Sequence, residues 1–304
     1  MIVRALRQTR HTETAPATIA ALVRRLLADV RRKSGIRHDR PLERKLEKIL
    51  ASMPLDALEQ WVRVIEAAAP DSPDWLSFIE NLTIHETYFF RDIPHHAHLR
   101  RTVLPALIEA RRTRGERSLR IWSAGCATGE EAYSLAILAL ETLTDLGEAE
   151  RSDAGIHTNW TVEVLGSDIS RLAVVQAKNA CYGGEGLGPF RDLPPEYAAW
   201  FVPLDGAEAG YRRVRADARR LVSLHRHNLM AAEPPDTGFD LVSCRNVLIY
   251  FDDDSRRTAQ RLLASAMIPG GALVLGTTDK LCEPDRFETL RGERAVAHRL
   301  RAGA

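Results

Sequence analysis

Apolar residues in the first quarter of the chain repeat with helical spacing. Between positions 19 and 30 they fall at i, i+3, i+4, i+7, i+8 and i+11, which is one continuous face of an α-helix. The same spacing recurs over 42–50, 55–65 and 75–82, and prolines stand between the periodic segments, where a helix start tolerates a missing amide. The pattern predicts an all-α amino-terminal domain over residues 1–82.

From residue 99 onward, short apolar runs alternate with amphipathic segments. The predicted strands are 119–124, 162–167, 239–243 and 272–276, and the predicted helices are 99–114, 133–146, 170–180 and 253–267. Such alternation implies right-handed crossovers and a parallel sheet. We therefore predict an α/β, doubly wound, Rossmann-like domain over 99–304, which closes with an antiparallel pair at 287–300.

Two segments break this alternation. Residues 182–220 are rich in Gly and Pro and contain the strand-like run 211–214, which predicts a small β insertion. Residues 145–159 are polar, and we predict a loop there.

Composition and charge exclude several classes of function. The 304 residues are 45% apolar and carry 42 Lys and Arg against 41 Asp and Glu, so the chain can bury a core but has no global field for nucleic acid or an acidic membrane. No apolar run reaches the roughly 20 residues of a membrane span, and the basic start at Arg4, Arg7 and Arg10 lacks an apolar signal core. These features predict a cytoplasmic protein with no nucleic-acid partner and no membrane insertion.

The cysteines and histidines do not predict a metal site. The four cysteines lie far apart, without the paired spacing of zinc ligands or of a disulfide framework. His95, His96 and His98 follow Pro94 with a spacing that favours solvent exposure at a helix start over metal ligation. We expect no bound metal.

Candidate ligand-binding residues follow the predicted strands. Ligands of open α/β sheets bind beyond the carboxyl ends of the strands, which directs attention to the loop 125–129, Asp168 and Asn246. Asp168 is placed to accept hydrogen bonds from ribose hydroxyls, so a nucleoside is the expected ligand. The glycine turn taken alone is equally typical of an ordinary helix entry.

Charge separates the candidate nucleosides. Glu130 and Glu131 stand in the first helical turn, where a dinucleotide would place its pyrophosphate. Carboxylates repel pyrophosphate but suit S-adenosylmethionine, which carries a sulfonium and an ammonium, although they are also ordinary helix-start residues. Asp168 follows Gly129 by 39 positions (168 − 129), whereas about 20 is usual for a dinucleotide site.

Several blocks of sequence resemble the CheR-type chemotaxis receptor methyltransferases, which esterify protein glutamates with S-adenosylmethionine. The resemblance runs in family order over nearly the whole chain. The matching blocks are Asn81 to Asp92, Trp122 to Glu131, Ser167 to Ile169, Asn228 to Leu229 and Cys244 to Asp252. It implies a helical amino-terminal domain, a linker over 83–98 that contributes to the cofactor site, and a Rossmann-like methyltransferase domain with a β subdomain at about 182–220.

The resemblance also implies roles for single residues. Arg91 and Tyr250 take the catalytic positions, Tyr250 beside the acceptor carboxylate. The cofactor-binding positions are Thr87 and Arg91 at the methionine end, Glu131 at the ammonium, Asp168 at the ribose, Asn228 and Leu229 near the adenine, Arg245 and Asn246 near the transferred methyl, and His85 where the family commonly has Asn.

The predicted function is methyl transfer from S-adenosylmethionine to glutamate side chains of a protein, with S-adenosylhomocysteine as product. The expected partner is a methylatable protein, a chemoreceptor cytoplasmic helix among the candidates, and we expect a monomer. Basic residues Arg44, Lys45 and Lys48 are either a docking face for that partner or a solvated surface. Two alternatives stay open: an N- or small-molecule methyltransferase, and a non-catalytic S-adenosylmethionine-binding regulator.

Overall fold

The computed structural model describes residues 16–153, 155–183 and 188–303, so Arg4, Arg7 and Arg10 lie outside the described residues. The chain divides into two compact units. The first comprises Met1–Ile84 with Tyr250–Ser255, and the second comprises His85–Ile249 with Arg256–Ala304.

The first unit is helical. Its helices are α1 (Pro16–Ser34), α2 (Arg40–Ala51), α3 (Leu55–Ala67) and α4 (Pro73–Glu80). The apolar stripes predicted from the spacing form the core, where Leu26, Leu46, Leu58 and Ile79 are fully buried. The Asp39 carboxylate caps α2 by accepting a hydrogen bond from the Leu42 amide, 2.8 Å away. The predicted helical nature of this region is confirmed.

The second unit is built on a seven-stranded sheet. Its helices and strands are α5 (Ile93–His98), α6 (Leu104–Arg112), β1 (Ser118–Ala124), α7 (Glu130–Asp145), β2 (Ala149–Ser152), β3 (Gly155–Thr158), β4 (Thr161–Asp168), α8 (Arg171–Asn179), β5 (Cys181–Gly183), β6 (Phe201–Pro203), β7 (Tyr211–Val214), α9 (Ala216–Arg219), β8 (Val222–Arg226), β9 (Phe239–Cys244), β10 (Met267–Leu275), β11 (Phe287–Arg291) and β12 (Val296–Leu300). A further helix, α10, spans Asp253–Ser265, of which Asp253–Ser255 belong to the first unit. A π-helical segment, Leu99–Val103, joins α5 to α6.

The strand order is β11-β12-β10-β9-β1-β4-β8. Strands β10, β9, β1, β4 and β8 are parallel, and β12 is antiparallel to both of its neighbours. Ile121, Trp122, Leu241 and Val242 are fully buried at the centre of the sheet. The chain leaves β1 toward β4 and later returns to β9 on the other side, so the topological switch point lies between β1 and β9.

The parallel sheet, the closing antiparallel pair and the β insertion are confirmed. The insertion is a three-stranded antiparallel sheet of order β5-β7-β6. The predicted loop at 145–159 is wrong, because Ala149–Ser152 and Gly155–Thr158 pair as a hairpin. The sequence analysis does not predict strand β8, since Leu224 is its only buried residue and its apolar alternation is weak.

Aromatic side chains hold the segment that follows residue 84 onto the second unit. Phe89 packs against the rings of Tyr182, Phe190 and Phe201, with centroids 4.8, 5.3 and 4.5 Å away. Phe90 stacks on Tyr197 at 4.0 Å. These contacts explain the aromatic residues interleaved in this segment, and they fix its backbone beside the β insertion.

Candidate cofactor site

The loop between β1 and α7 is tied to the carboxyl end of β4. The Gly125 and Cys126 amides both donate to the Ser167 carbonyl, at 2.7 and 2.9 Å. Gly125 has a φ of +80°, and a Cβ added there would lie 2.3 Å from Val247 Cγ2, so only glycine fits. Ala127 also has a positive φ, of +47°, which marks a strained turn at the switch point.

Asp168 is buried where β4 ends. One of its carboxylate oxygens accepts a hydrogen bond from the Ser170 amide and the other from the Ala127 amide, both at 2.9 Å. Nε2 of His85 lies 3.8 Å from Asp168 Oδ1, and it is buried without a hydrogen-bond partner among the described residues. Burial raises the pKa of Asp168, so a ligand hydroxyl bonded to these oxygens would stabilise the carboxylate.

Asn228 and Leu229 stand at the start of the loop after β8, next to the end of β4. The His227 amide donates to the Asp168 carbonyl at 2.9 Å, which brings the start of the loop after β8 against the end of β4. The Asn228 Oδ1 atom accepts a hydrogen bond from the Met230 amide, at 3.0 Å, and Leu229 is buried. The structure therefore brings His85, Asp168, Asn228 and Leu229 to one end of the candidate site.

A second group of polar residues lies where β9 ends. The buried guanidinium of Arg245 lies 3.3 Å from Glu131 Oε2 and 3.5 Å from Asp92 Oδ2, and it donates to the Arg91 carbonyl at 2.7 Å. The Ser123 hydroxyl donates to the other Glu131 oxygen, at 2.9 Å. We call Asp92, Ser123, Glu131 and Arg245 the edge cluster.

The sequence did not predict the pairing inside the edge cluster. Glu131 and Arg245 were predicted as separate cofactor contacts, and the structure places them in one ion pair. Asp92 and Ser123 were given no role, although Asp92 directly follows Arg91 in the resembling block. Asn246, the residue after Arg245, has a φ of +59°, in the left-handed region that Asn adopts more readily than most residues.

The side chains of the other predicted site residues, Arg91, Thr87 and Tyr250, lie outside these two groups of contacts. The Arg91 guanidinium donates to the Glu86 carbonyl at 2.9 Å and lies 5.7 Å from the centre of the Tyr88 ring. Thr87 is half-buried. Tyr250 is also half-buried, and it belongs to the first unit.

Glu130, which the first-turn charge argument groups with Glu131, is buried and bonded within its own turn. Its carboxyl is 4% exposed and accepts a hydrogen bond from the Thr128 hydroxyl at 2.7 Å. Burial raises its pKa from 4.5 to about 7. Near neutral pH a large share of the Glu130 carboxyl groups is therefore still protonated.

The buried Glu130 carboxyl should make stability depend on pH. The folded protein retains this proton up to about pH 7, whereas the unfolded chain loses it near 4.5, so this contribution to stability falls as the pH rises between those values. We expect Glu130→Gln to raise the free energy of unfolding at pH 8 by about 1–3 kcal/mol and to change it little near pH 4. Urea unfolding at both pH values tests this, with the exposed Glu109→Gln as control; equal effects at both pH values would contradict it.

The predicted exposure of His95, His96 and His98 is wrong. All three are buried, at 2%, 4% and 6% exposure. His96 packs on the Phe90 ring at 5.5 Å, and the His98 ring fills the space beside Gly292. Burial, with Arg245 nearby, lowers the pKa of His95 to about 3 and that of His96 well below its usual value, so both are neutral at pH 7. Within the described ranges no His, Cys, Asp and Glu group is arranged to hold a metal.

The charges at this sheet edge suit a cationic nucleoside. Three carboxylates lie here, those of Asp92, Glu131 and Asp168; the first two pair with the guanidinium of Arg245, and the nearby His95 and His96 are neutral. The His85 Nε2 atom beside Asp168 has no hydrogen-bond partner among the described residues, so it could bond to a ligand at the position expected for a ribose. A pyrophosphate would meet net negative charge here, whereas the sulfonium and ammonium of S-adenosylmethionine would be attracted.

The sheet order, the glycine loop after β1 and the carboxylate at the end of β4 define an S-adenosylmethionine-dependent methyltransferase. Residues 85–296 match the sequence model of the CheR methyltransferase, SAM binding domain. The chain belongs to the CheR methyltransferase family.

Curated relatives agree with this assignment. A chemotaxis protein methyltransferase of Escherichia coli is 31% identical, with 83% of this chain and 80% of that protein covered. Chemotaxis protein methyltransferase 1 of Pseudomonas aeruginosa is 30% identical, with 84% and 88% covered. An uncharacterised 104.1 kDa protein of Rhodobacter capsulatus is 31% identical over 86% of this chain, which spans only 25% of that protein. No helix among the described residues is both long and apolar enough to cross a membrane.

Proposed function

We propose that this methyltransferase esterifies glutamate side chains of a chemoreceptor, working as a monomer in the cytoplasm. The observation that carries the proposal is the identity of about 30% to chemotaxis protein methyltransferases over most of both chains. The acidic edge of the sheet supports it, because it suits a cationic methyl donor.

The proposed cofactor contacts follow the two groups of site residues. His85, Asp168, Asn228 and Leu229 hold the adenosine end. Thr87, Arg91, Glu131, Arg245 and Asn246 hold the methionine end. When bound, S-adenosylmethionine supplies an electrophilic methyl group and leaves as S-adenosylhomocysteine.

Methylation of a carboxylate requires the protein mainly to position the two reactants. A glutamate is ionised at neutral pH, so it needs no general base, and the neutral, buried His95 and His96 are not required as one. Arg91 attracts the acceptor carboxylate, and the Tyr250 hydroxyl orients it toward the methyl carbon. Catalysis then arises from alignment and exclusion of water.

The product bond tests this proposal directly. The protein is incubated with methyl-labelled S-adenosylmethionine and chemoreceptor-bearing membranes, and the labelled receptor is then treated with mild base. A carboxyl ester releases its label as volatile methanol, whereas an N-methyl group survives. We expect volatile label, and none on a receptor whose methylatable glutamates are replaced by Ala. Base-stable label would favour amine methylation, and no label on any protein would favour a binding module.

Acceptor docking is proposed to use α2. Arg44, Lys45 and Lys48 are exposed on this helix, while its opposite face buries Leu42, Leu46 and Leu50. We expect replacement of the three bases by Glu to raise the KM for the receptor several-fold at low salt, and the effect to fade as salt screens charges beyond about 8–10 Å.

The matched control reverses three exposed bases of the second unit, Arg101, Lys178 and Arg294, with the same change in net charge. Steady-state kinetics at two salt concentrations distinguish the variants. Equal KM values for both triple variants would show that the α2 bases are only a solvated surface.

A further inference from the structure

We infer that the turn between α1 and α2 holds the Tyr250 segment in place, and that Arg31 is a positioning residue for Tyr250. The inference deepens the proposed function and rests on it, because it takes Tyr250 as the residue beside the acceptor carboxylate. All of the contacts involved lie within the first unit.

The backbone of the turn pairs with the Tyr250 segment. Gly35, with a φ of +75°, ends α1 and turns the chain. Beyond it the Arg37 amide donates to the Tyr250 carbonyl at 2.7 Å, and Ile36 forms an antiparallel bridge with Phe251. Tyr250 is therefore fixed at its carbonyl by the turn.

A side-chain contact holds the other end of the segment. The Arg31 guanidinium donates to Asp252 Oδ2 at 2.5 Å, and Asp252 Oδ1 accepts from the Ser255 amide at 2.9 Å. Burial acts to raise the pKa of Asp252, but the Ser255 amide and Arg31 outweigh it and hold the pKa below its usual value. With Phe251 buried between them, the two contacts fix the backbone on both sides of that residue.

The same turn leads directly into the proposed docking helix. Arg37 lies two residues before Asp39, whose carboxylate caps α2, and α2 carries the exposed bases Arg44, Lys45 and Lys48. The docking surface and the anchor of Tyr250 are thus parts of one short stretch of chain.

Removal of Arg31 should affect turnover and spare binding. The Arg31 side chain is 56% exposed, so Arg31→Met should leave folding intact while Asp252 loses its cation. We expect kcat for the receptor to fall roughly three- to tenfold, because a small misplacement of an orienting group is costly in the reaction. The KM for the receptor and the Kd for S-adenosylhomocysteine should stay unchanged, and Arg31→Lys should restore most of kcat.

A double-mutant cycle with Tyr250 separates positioning from a general structural effect. Tyr250→Phe removes the hydroxyl that Arg31 is inferred to position, so adding Arg31→Met to Tyr250→Phe should cause no further loss of kcat. Arg32→Met is the matched control, since Arg32 pairs with Asp29 on its own helix and is 65% exposed. It should keep the kcat of the unmodified protein.

The outcomes that would overturn the inference are distinct. Unchanged kcat in Arg31→Met, or a loss that persists undiminished in the Tyr250→Phe background, would refute the positioning role while leaving glutamate methylation intact. Absence of base-labile label from the unmodified protein would instead refute the proposed function, and the inference with it. Thermal unfolding of each variant identifies any loss of kcat that comes from misfolding.

Discussion

Replacing Arg245 by Met should lower the free energy of unfolding by about 3 kcal/mol, because it leaves carboxylates at the sheet edge without their cation. The Arg245 side chain is 4% exposed, and those of Glu131 and Asp92 are 15% and 25% exposed. Water therefore compensates poorly for the lost charge. The Arg91 carbonyl also loses its donor, which frees the segment that carries Arg91. Urea unfolding followed by tryptophan fluorescence measures the change.

A double variant tests the electrostatic cause. In Arg245→Met with Glu131→Gln the buried charge of Glu131 is gone, and its side chain can still accept from the Ser123 hydroxyl. We expect this variant to recover a large part of the lost stability, as coupled residues do. If the single and double variants are equally unstable, lost packing rather than an unpaired charge explains the effect of Arg245→Met.

Replacing Asp168 by Ala should weaken binding of S-adenosylmethionine and S-adenosylhomocysteine by roughly tenfold to a hundredfold, which corresponds to about 1–3 kcal/mol for unpaired polar groups. The carboxylate anchors the Ala127 and Ser170 amides and lies 3.8 Å from His85, so its loss removes both a proposed ribose acceptor and a support of the loop after β1. Titration calorimetry measures both affinities, and NAD should bind weakly to every variant.

The matched control lies on the same strand. Glu163 of β4 is 58% exposed and pairs with Arg120, away from the carboxyl end of the strand. Glu163→Ala should keep the affinity for both nucleosides. Asp168→Asn keeps one oxygen for an amide and loses the charge, so it should fall between Asp168→Ala and the unmodified protein. If Asp168→Ala binds S-adenosylmethionine as tightly as the unmodified protein, Asp168 is not a cofactor contact. If NAD binds more tightly than S-adenosylmethionine, the cofactor assignment is wrong.

The sequence by itself determined the periodic elements and where the strands end. The stripe from Ile19 to Val30 and the alternation after residue 99 predicted the helices and the parallel sheet, because side-chain period is a local property of each element. Asp168 and Asn246 could be singled out for the same reason: each follows a recognisable strand, and parallel strands bring their carboxyl ends to one edge. The sequence pattern does not predict β8, whose apolar alternation is weak, or the polar hairpin at 149–158. These segments are strands because they pair, β8 with β4 and β2 with β3.

Only the tertiary structure decided which charges meet. Arg245 and Glu131 are 114 positions apart and Arg31 and Asp252 are 221 apart, so no local pattern couples them. The burial of His98 likewise depends on residues distant in the chain, since its ring lies against Gly292 and its Nε2 lies 3.3 Å from the Leu290 carbonyl. Ion pairs and desolvation depend on distances and on excluded water, which exist only once the strands have taken their order and the turns have closed.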